Sequence, residues 1–256
     1  MDYKRNKNMK TIAYFFWTGA VNDMFLNSIE SYKKLNFFDE WYILTDNDSI
    51  LNYHHDFKIL KVPADWSDKR FYLKLSELRR IDANEGDRIM ILDGDTLCRK
   101  PLDNFFDSEN DIFLTTRHYD FIFKINAGVW GFIKSNKSDK FLEHASNTIL
   151  NPESWNLYYQ LKINHPWPSA RILTNIDWPV DQDYLECILK SKNQIEKEID
   201  IDLKIKVHEN GSYNCIVSSI TDDIVNKIDP YIIHYKNQSG DKWKQELKCI
   251  AQNLKK

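Results

Sequence analysis

Apolar runs and amphipathic stretches alternate along the first half of the chain. Residues Thr11 to Trp17 form an uninterrupted apolar and aromatic run that stops at Thr18-Gly19, the pattern of a parallel strand buried on both faces. From Asp23 to Leu35 the apolar side chains return at helical spacing (Met24, Phe25, Ile29, Tyr32), with Asp23 near the start. Two more strands are predicted at Trp41 to Thr45, halted by Asp46-Asn47-Asp48, and at Phe57 to Val62, halted by Pro63. Phe71 to Ile81 reads as a helix with Leu73, Leu75, Leu78 and Ile81 set among charges, and Gly86-Asp87 turns the chain into a fourth strand at Arg88 to Leu92. Strands alternating with helices predict an open, Rossmann-like, mainly parallel α/β sheet with helices on both faces. Ligands of such sheets sit beyond the carboxyl ends of the strands, which points to the loops after Trp17, Thr45 and Leu92.

The second half is less regular. Strands are predicted at Asp111 to Thr115 and Val129 to Ile133, and helices at Lys137 to Leu150 and Asp181 to Lys190. Residues Pro152 to Trp178, rich in tryptophan, asparagine and proline, read as a long shaped loop. Ile199, Ile201, Leu203, Ile205 and Val207 alternate with charged residues and predict a half-buried strand. A last strand is expected at Tyr231 to Tyr235. No second domain is apparent: residues 1–256 read as one domain with a flexible N-terminus at 1–10 and a closing C-terminal segment at 231–256.

Composition narrows the function classes. A net charge of -3, with basic residues scattered along the chain, argues against nucleic acid as a partner. The lysine-rich ends, Lys4 to Lys10 and Lys242 to Lys256, read as solvated termini, with weak attraction to an anionic membrane surface as the alternative. Cys98, Cys187, Cys215 and Cys249 show no metal-type or redox-type spacing. No apolar stretch is long enough to span a bilayer and no signal peptide follows Met1, so a cytoplasmic setting is expected. Trp155, Trp167 and Trp178 either stack on an acceptor sugar or fill a core.

The strongest chemical signal is the run from Ile89 to Thr96, IMILDGDT. A buried strand ends abruptly in two carboxylates, Asp93 and Asp95, separated by Gly94. Unpaired carboxylates are costly to bury, so the pair faces a cleft or binds a cation. Two carboxylates one residue apart suit a hard divalent metal that keeps positions open for phosphate oxygens. The alternative is a plain Asp-Gly-Asp turn.

The segment from Arg88 to Pro101, RIMILDGDTLCRKP, resembles the metal-binding region of GT-A glycosyltransferases. Further blocks resemble glycosyltransferase family 8, the group of glycogenin and the lipopolysaccharide galactosyltransferases. They are Ile125-Asn126-Ala127-Gly128-Val129, Trp178-Pro179-Val180-Asp181-Gln182-Asp183, Tyr213-Asn214, and Ile233-His234-Tyr235 with Gly240-Asp241-Lys242-Trp243. The resemblance spans Thr11 to Trp243. It departs from the family where Lys242 abuts Trp243 without the usual proline, and where the loop from His234 to Gly240 is longer.

The resemblance implies a GT-A fold and a hexosyltransferase that uses a UDP-sugar donor, works with retention, and acts on a glycan, lipid or protein acceptor. It implies Asp93, Asp95 and His234 as ligands of Mn²⁺ or Mg²⁺. Asp181 and Gln182 would be catalytic, Asp181 accepting from a sugar hydroxyl and Gln182 standing near the reacting carbon. Asp181 as a helix cap is the plainer reading of that residue. Asn126, with Ala127 and Gly128, would meet the sugar; a turn asparagine is the alternative. Gly240 and Lys242 would fold over the diphosphate. Either Arg70 or Lys74 would reach the donor, and Thr18, Gly19 and Asp46 would lie near the nucleoside. Two other function classes remain open: an inactive nucleotide-sugar-binding protein, and a metal-dependent nucleotidyltransferase. The latter lacks its expected glycine-rich basic loop after the first strand.

Overall fold

The computed structural model describes residues 9–62, 74–118, 124–150, 181–217 and 223–235. Within them a seven-stranded sheet runs in the order β3-β2-β1-β4-β7-β6-β8. Its strands are β1 (Thr11–Phe16), β2 (Glu40–Thr45), β3 (Phe57–Lys61), β4 (Arg88–Asp93), β6 (Ile112–Thr115), β7 (Val129–Ile133) and β8 (Ile205–His208). β3, β2, β1 and β4 are parallel, β7 runs antiparallel to both β4 and β6, and β8 is parallel to β6. A smaller sheet, β5-β10-β9, joins β5 (Thr96–Cys98), β10 (Ile232–Tyr235) and β9 (Cys215–Val217).

The buried runs explain the centre of the large sheet. Every residue of β1 is buried. Ile12, Tyr14 and Phe16 point into one core layer and Ala13 and Phe15 into the other, as strand alternation demands. The first layer takes in Leu75 and Leu78, together with Phe141 of α2 (Asn136–Leu150), Tyr184 of α3 (Asp181–Lys190) and Ile195 of α4 (Lys192–Ile199). The second is covered by Phe25, Ile29 and Tyr32 of α1 (Asp23–Lys33). Helices therefore protect both faces. Asn22 caps α1, its side chain accepting from the Phe25 N–H at 3.0 Å, while Asp23 adds negative charge in the first turn.

Strand order reverses across β1: the chain builds β2 and β3 on one side of it and then places β4 on the other. That reversal opens a crevice at the carboxyl ends of β1 and β4, the usual ligand position in open α/β sheets. At this end of the sheet Gly94 packs directly against the Trp17 ring. A Cβ at Gly94 would lie 2.4 Å from Cε3 of the Trp17 ring, so only glycine fits between the two carboxylates.

Several elements differ from the sequence expectation. The alternating stretch from Ile199 to Val207 is not one strand. Ile199 ends α4, Asp200 turns with φ of 52°, and only Ile205–His208 pairs with β6. Ile195 and Ile199 stand four apart, so the same residues satisfy a helical period as well. Lys74 to Ser76 are helical and continue as a 3-10 turn, Glu77–Arg80, rather than an α-helix to Ile81. β5, β9, α4 and the short helix α5 (Asp223–Ile228) were not anticipated. The expected loop at Pro152 to Trp178, with its three tryptophans, lies outside the described residues. No helix among the described residues is long and apolar enough to cross a membrane.

At Gly131, in β7, a Cβ would stand 2.8 Å from the Ile89 carbonyl oxygen and 2.9 Å from the Phe106 ring. Gly131→Ala is expected to destabilise the fold by about 1–3 kcal/mol through overpacking. Urea unfolding measures this; an unchanged midpoint would contradict the packing described.

Candidate active site

Asp93 is the last residue of β4, and its N–H donates to the Gly128 carbonyl at 2.7 Å. The chain turns through Gly94 and Asp95 into β5. β5 pairs antiparallel with β10, with His234 opposite Thr96. The Tyr235 N–H donates to the Asp95 carbonyl at 2.9 Å. Register thus brings His234 back to the acidic turn. Its Nε2 lies 3.0 Å from Asp95 Oδ1 and 3.7 Å from Asp93 Oδ2. One ligand atom from each of Asp93, Asp95 and His234 fits within a 4.8 Å span. His234 is fully buried, yet its Nε2 makes no aligned hydrogen bond. A buried imidazole nitrogen aimed at two carboxylates without a bond to either fits a cation held between them. Two oxygens and one nitrogen suit Mn²⁺, and Mg²⁺ less closely.

Lys74 lies behind this group, only 3 % exposed. Its Nζ sits 2.6 Å from Asp93 Oδ1 and 3.2 Å from Asp181 Oδ2, and it donates to the Ala127 carbonyl at 2.9 Å. Burial by itself pulls the ammonium down, but the carboxylates of Asp181 and Asp93 together outweigh it and hold Lys74 well above its ordinary range. Asp181 shows the converse. Burial pushes its carboxyl up, and the one ammonium, shared with Asp93, offsets only part of that. Asp93 consequently has a divided role: Oδ1 meets Lys74 and Oδ2 faces His234. Three carboxyl groups, Asp93, Asp95 and Asp181, surround the one ammonium of Lys74 or lie next to it. Acidic groups thus outnumber basic ones here, an arrangement that a cation would offset.

The loop from Asn126 to Gly128 forms another wall. Asn126 Oδ1 accepts from the Gly128 N–H at 2.8 Å, while its buried Nδ2 has no partner among the described residues. Its oxygen already holds one bond, and Nδ2 is the donor it offers to a ligand. Gly128 is needed for approach: a Cβ there would fall 2.2 Å from His234 Cε1 and 2.8 Å from Asp93 Oδ2. Asp181 opens α3, and its Oδ1 accepts from the Gln182 N–H at 2.8 Å. Asp181 thus serves the helix start with one oxygen and faces Lys74 with the other. Gln182 Oε1 accepts from Arg117 Nη2 at 3.2 Å. At the far side of the crevice the Gly19 N–H donates to Asp46 Oδ1 at 2.7 Å, joining the loops after β1 and β2. Gly19 has φ of 87°, where glycine is favoured.

Of the residues singled out from sequence, the structure gathers Lys74, Asp93, Gly94, Asp95, Asn126, Ala127, Gly128, Asp181 and His234 into one cluster. Gln182 is next to it. Thr18, Gly19 and Asp46 lie together at the ends of β1 and β2. Arg70, Gly240 and Lys242 lie outside the described residues. Sequence reasoning missed Arg117, which carries no local signature, and missed that Lys74 is buried. A lysine between Leu73 and Leu75 looks like an ordinary helix charge. Thr115, below the site, was also missed.

No protein-family model and no curated protein matches the chain. Solved structures do. The galactosyltransferase LgtC, in complex with donor and acceptor sugar analogs, is 13% identical, covers 94% of each chain and has a TM-score of 0.58. An active-site mutant of LgtC with glutamine changed to glutamate is 12% identical, covering 94% of this chain and 95% of the other at a TM-score of 0.56. The glycosyltransferase GlyE of Streptococcus pneumoniae TIGR4 is 15% identical over 95% of this chain and 63% of its own, with a TM-score of 0.55. The chain therefore has the GT-A fold that these glycosyltransferases share.

Removing the shared ammonium tests the charge arrangement. Lys74→Met leaves Asp181 buried without its counter-ion, and a loss of about 3–5 kcal/mol is expected. The folded Asp181 carboxyl already titrates above its ordinary range, and the substitution raises it further. The folded variant then holds a proton more tightly than the unfolded chain. Its stability falls as pH rises from the ordinary carboxylate range through the folded Asp181 pKa. Urea unfolding in EDTA is expected to show a deficit against wild type that is smallest at acidic pH. A deficit independent of pH would contradict this.

Proposed function

We propose that the chain is a metal-dependent glycosyltransferase that moves a hexose from a UDP-sugar to a glycan, lipid or protein acceptor, with retention. The observation that carries this reading is the convergence of Asp93, Asp95 and the buried Nε2 of His234, which makes no aligned hydrogen bond, at the strand reversal of a GT-A fold. A divalent cation held there neutralises the charge that develops on a departing diphosphate. The group includes Asn126 and Asp181, which offer complementary contacts to sugar hydroxyls: Nδ2 of Asn126 donates and Oδ2 of Asp181 accepts. Gln182 follows Asp181 on the same helix turn, and Arg117 fixes its amide through Oε1. An sp² oxygen has two lone pairs, so Oε1 can keep that bond and still face the reacting carbon. An active-site glutamine in LgtC, a protein of the same fold, supports this role for Gln182. Gly19 and Asp46 would then border the nucleoside, and Gly240 and Lys242 would close over the diphosphate. A cytoplasmic setting with access to a membrane surface is consistent with this activity.

The test is incubation with a panel of UDP-sugars and Mn²⁺. Free UDP is expected, and EDTA is expected to stop its release reversibly. Asp93→Ala and Asp95→Ala are each expected to lower turnover at least about 100-fold, since several kcal/mol of leaving-group stabilisation are lost. Pyrophosphate release would identify a nucleotidyltransferase, and binding without turnover an inactive nucleotide-sugar binder. A further prediction separates the sugar pocket from the nucleotide pocket. Asp181→Asn and Gln182→Ala are expected to cut turnover strongly while leaving UDP affinity nearly intact; loss of UDP affinity in both would displace them from the sugar.

A further inference from the structure

His234 has a second ring nitrogen, and its partner is the buried side chain of Asn214. Nδ1 lies 2.9 Å from Asn214 Oδ1. At its other end Asn214 Nδ2 donates to Thr115 Oγ1 at 3.0 Å and to the Asn126 carbonyl at 3.3 Å. Proton counting fixes which end of the amide faces the ring. The Thr115 hydroxyl has one proton, and the Val129 carbonyl at 2.5 Å takes it in preference to the Asn126 carbonyl at 3.4 Å. Thr115 Oγ1 can therefore only accept from Asn214. The Asn126 carbonyl also can only accept. Both need the NH₂ end of Asn214, which leaves its carbonyl oxygen for His234. A carbonyl cannot donate, so Nδ1 carries the ring proton. In the neutral ring Nε2 is then a bare lone pair, directed at Asp93 and Asp95. A lone pair set against two carboxylates is repulsive unless a cation or a second ring proton lies between them.

We propose that Asn214 is a positioning residue for the cation site: oriented by Thr115, it locks His234 in the Nδ1–H tautomer and presents Nε2 for metal ligation. The inference rests on reading Asp93, Asp95 and His234 as that site. It gives the amide a role distinct from packing, because an apolar side chain of equal size would fill the same space without choosing a tautomer. It also crosses the two sheets. Thr115 ends β6 of the large sheet, Asn214 precedes β9, and His234 lies on β10. Outer partners of metal-ligating histidines typically contribute about 10–100-fold to metal affinity.

Two measurements on the full chain decide it. The first is a long-range ¹H–¹⁵N spectrum of the metal-free protein at alkaline pH, with His234 assigned by its absence in His234→Gln. A single Nδ1–H tautomer of the neutral ring is expected; a neutral ring with its one proton on Nε2 overturns the proposal. The second is Mn²⁺ affinity by calorimetry. Asn214→Leu is expected to weaken it about 10–100-fold. Thr115→Val, which removes only the orienting hydroxyl, is expected to fall between wild type and Asn214→Leu. Should Asn214→Leu not fold, Thr115→Val carries this arm by itself. Unchanged affinity in the folded variants overturns the proposal, since a purely structural role would lower thermal stability and leave tautomer and affinity alone. If wild type binds no divalent cation, the reading under Proposed function fails, and the tautomer spectrum still judges the role of Asn214.

Discussion

Buried and half-buried charge at the end of β4 organises this part of the molecule. Asp93 and Asp95 are partly exposed, whereas Asp181 and Lys74 are nearly dry. A low-dielectric setting makes any mismatch among them expensive, and Lys74 settles only part of it. Because the ammonium bridges Asp93 and Asp181, the acidic turn after β4 and the start of α3 share one counter-ion. Neither carboxylate can change its charge or partner without the other responding. The tight glycines follow from the same demand. Gly94 and Gly128 stand where any side chain would push aromatic or ligand atoms apart, so the backbone itself forms the walls of the charged group.

The acidic turn was legible in the sequence because a wholly apolar strand that stops at two carboxylates must deliver them to water or to a cation. The parallel half was legible for a related reason: its strands are buried on both faces and read as continuous apolar runs. Where a segment is only half buried, the period becomes ambiguous, and Ile195 and Ile199 served a helix as well as the alternation served a strand. β5 and β9 are three residues each, too short for any period to register. Lys74 was flagged by family resemblance and by nothing else. Whether a lysine is dry depends on what packs over it from distant parts of the chain, here the Asp181 helix and the Ala127 turn.

Asn126 and Asn214 show how a buried amide can be read once its neighbours are known. Each has one end held by fixed protein groups, which orients the other: Asn126 presents its unbonded Nδ2, and Asn214 turns its oxygen to His234. Neither choice was visible in sequence, where asparagine offers both. The two are also joined, since Asn214 donates to the Asn126 carbonyl. Tyr32 extends the ordering from the opposite side, donating to Thr96 Oγ1, which in turn donates to the Asp93 carbonyl.

The small sheet has a consequence for biosynthesis. β5 is made early and sits beside the acidic turn, but its partner β10 comes from far downstream and is inserted between β5 and β9. On a ribosome the parallel half can assemble while His234 is still unmade. Asp93 and Asp95 would then face water without their nitrogen partner. Pairing over so long a sequence separation is slow to form because the intervening chain must first be ordered. A chain that ended before β10 would therefore hold the strands of the large sheet and lack the histidine of the Asp93, Asp95 and His234 group.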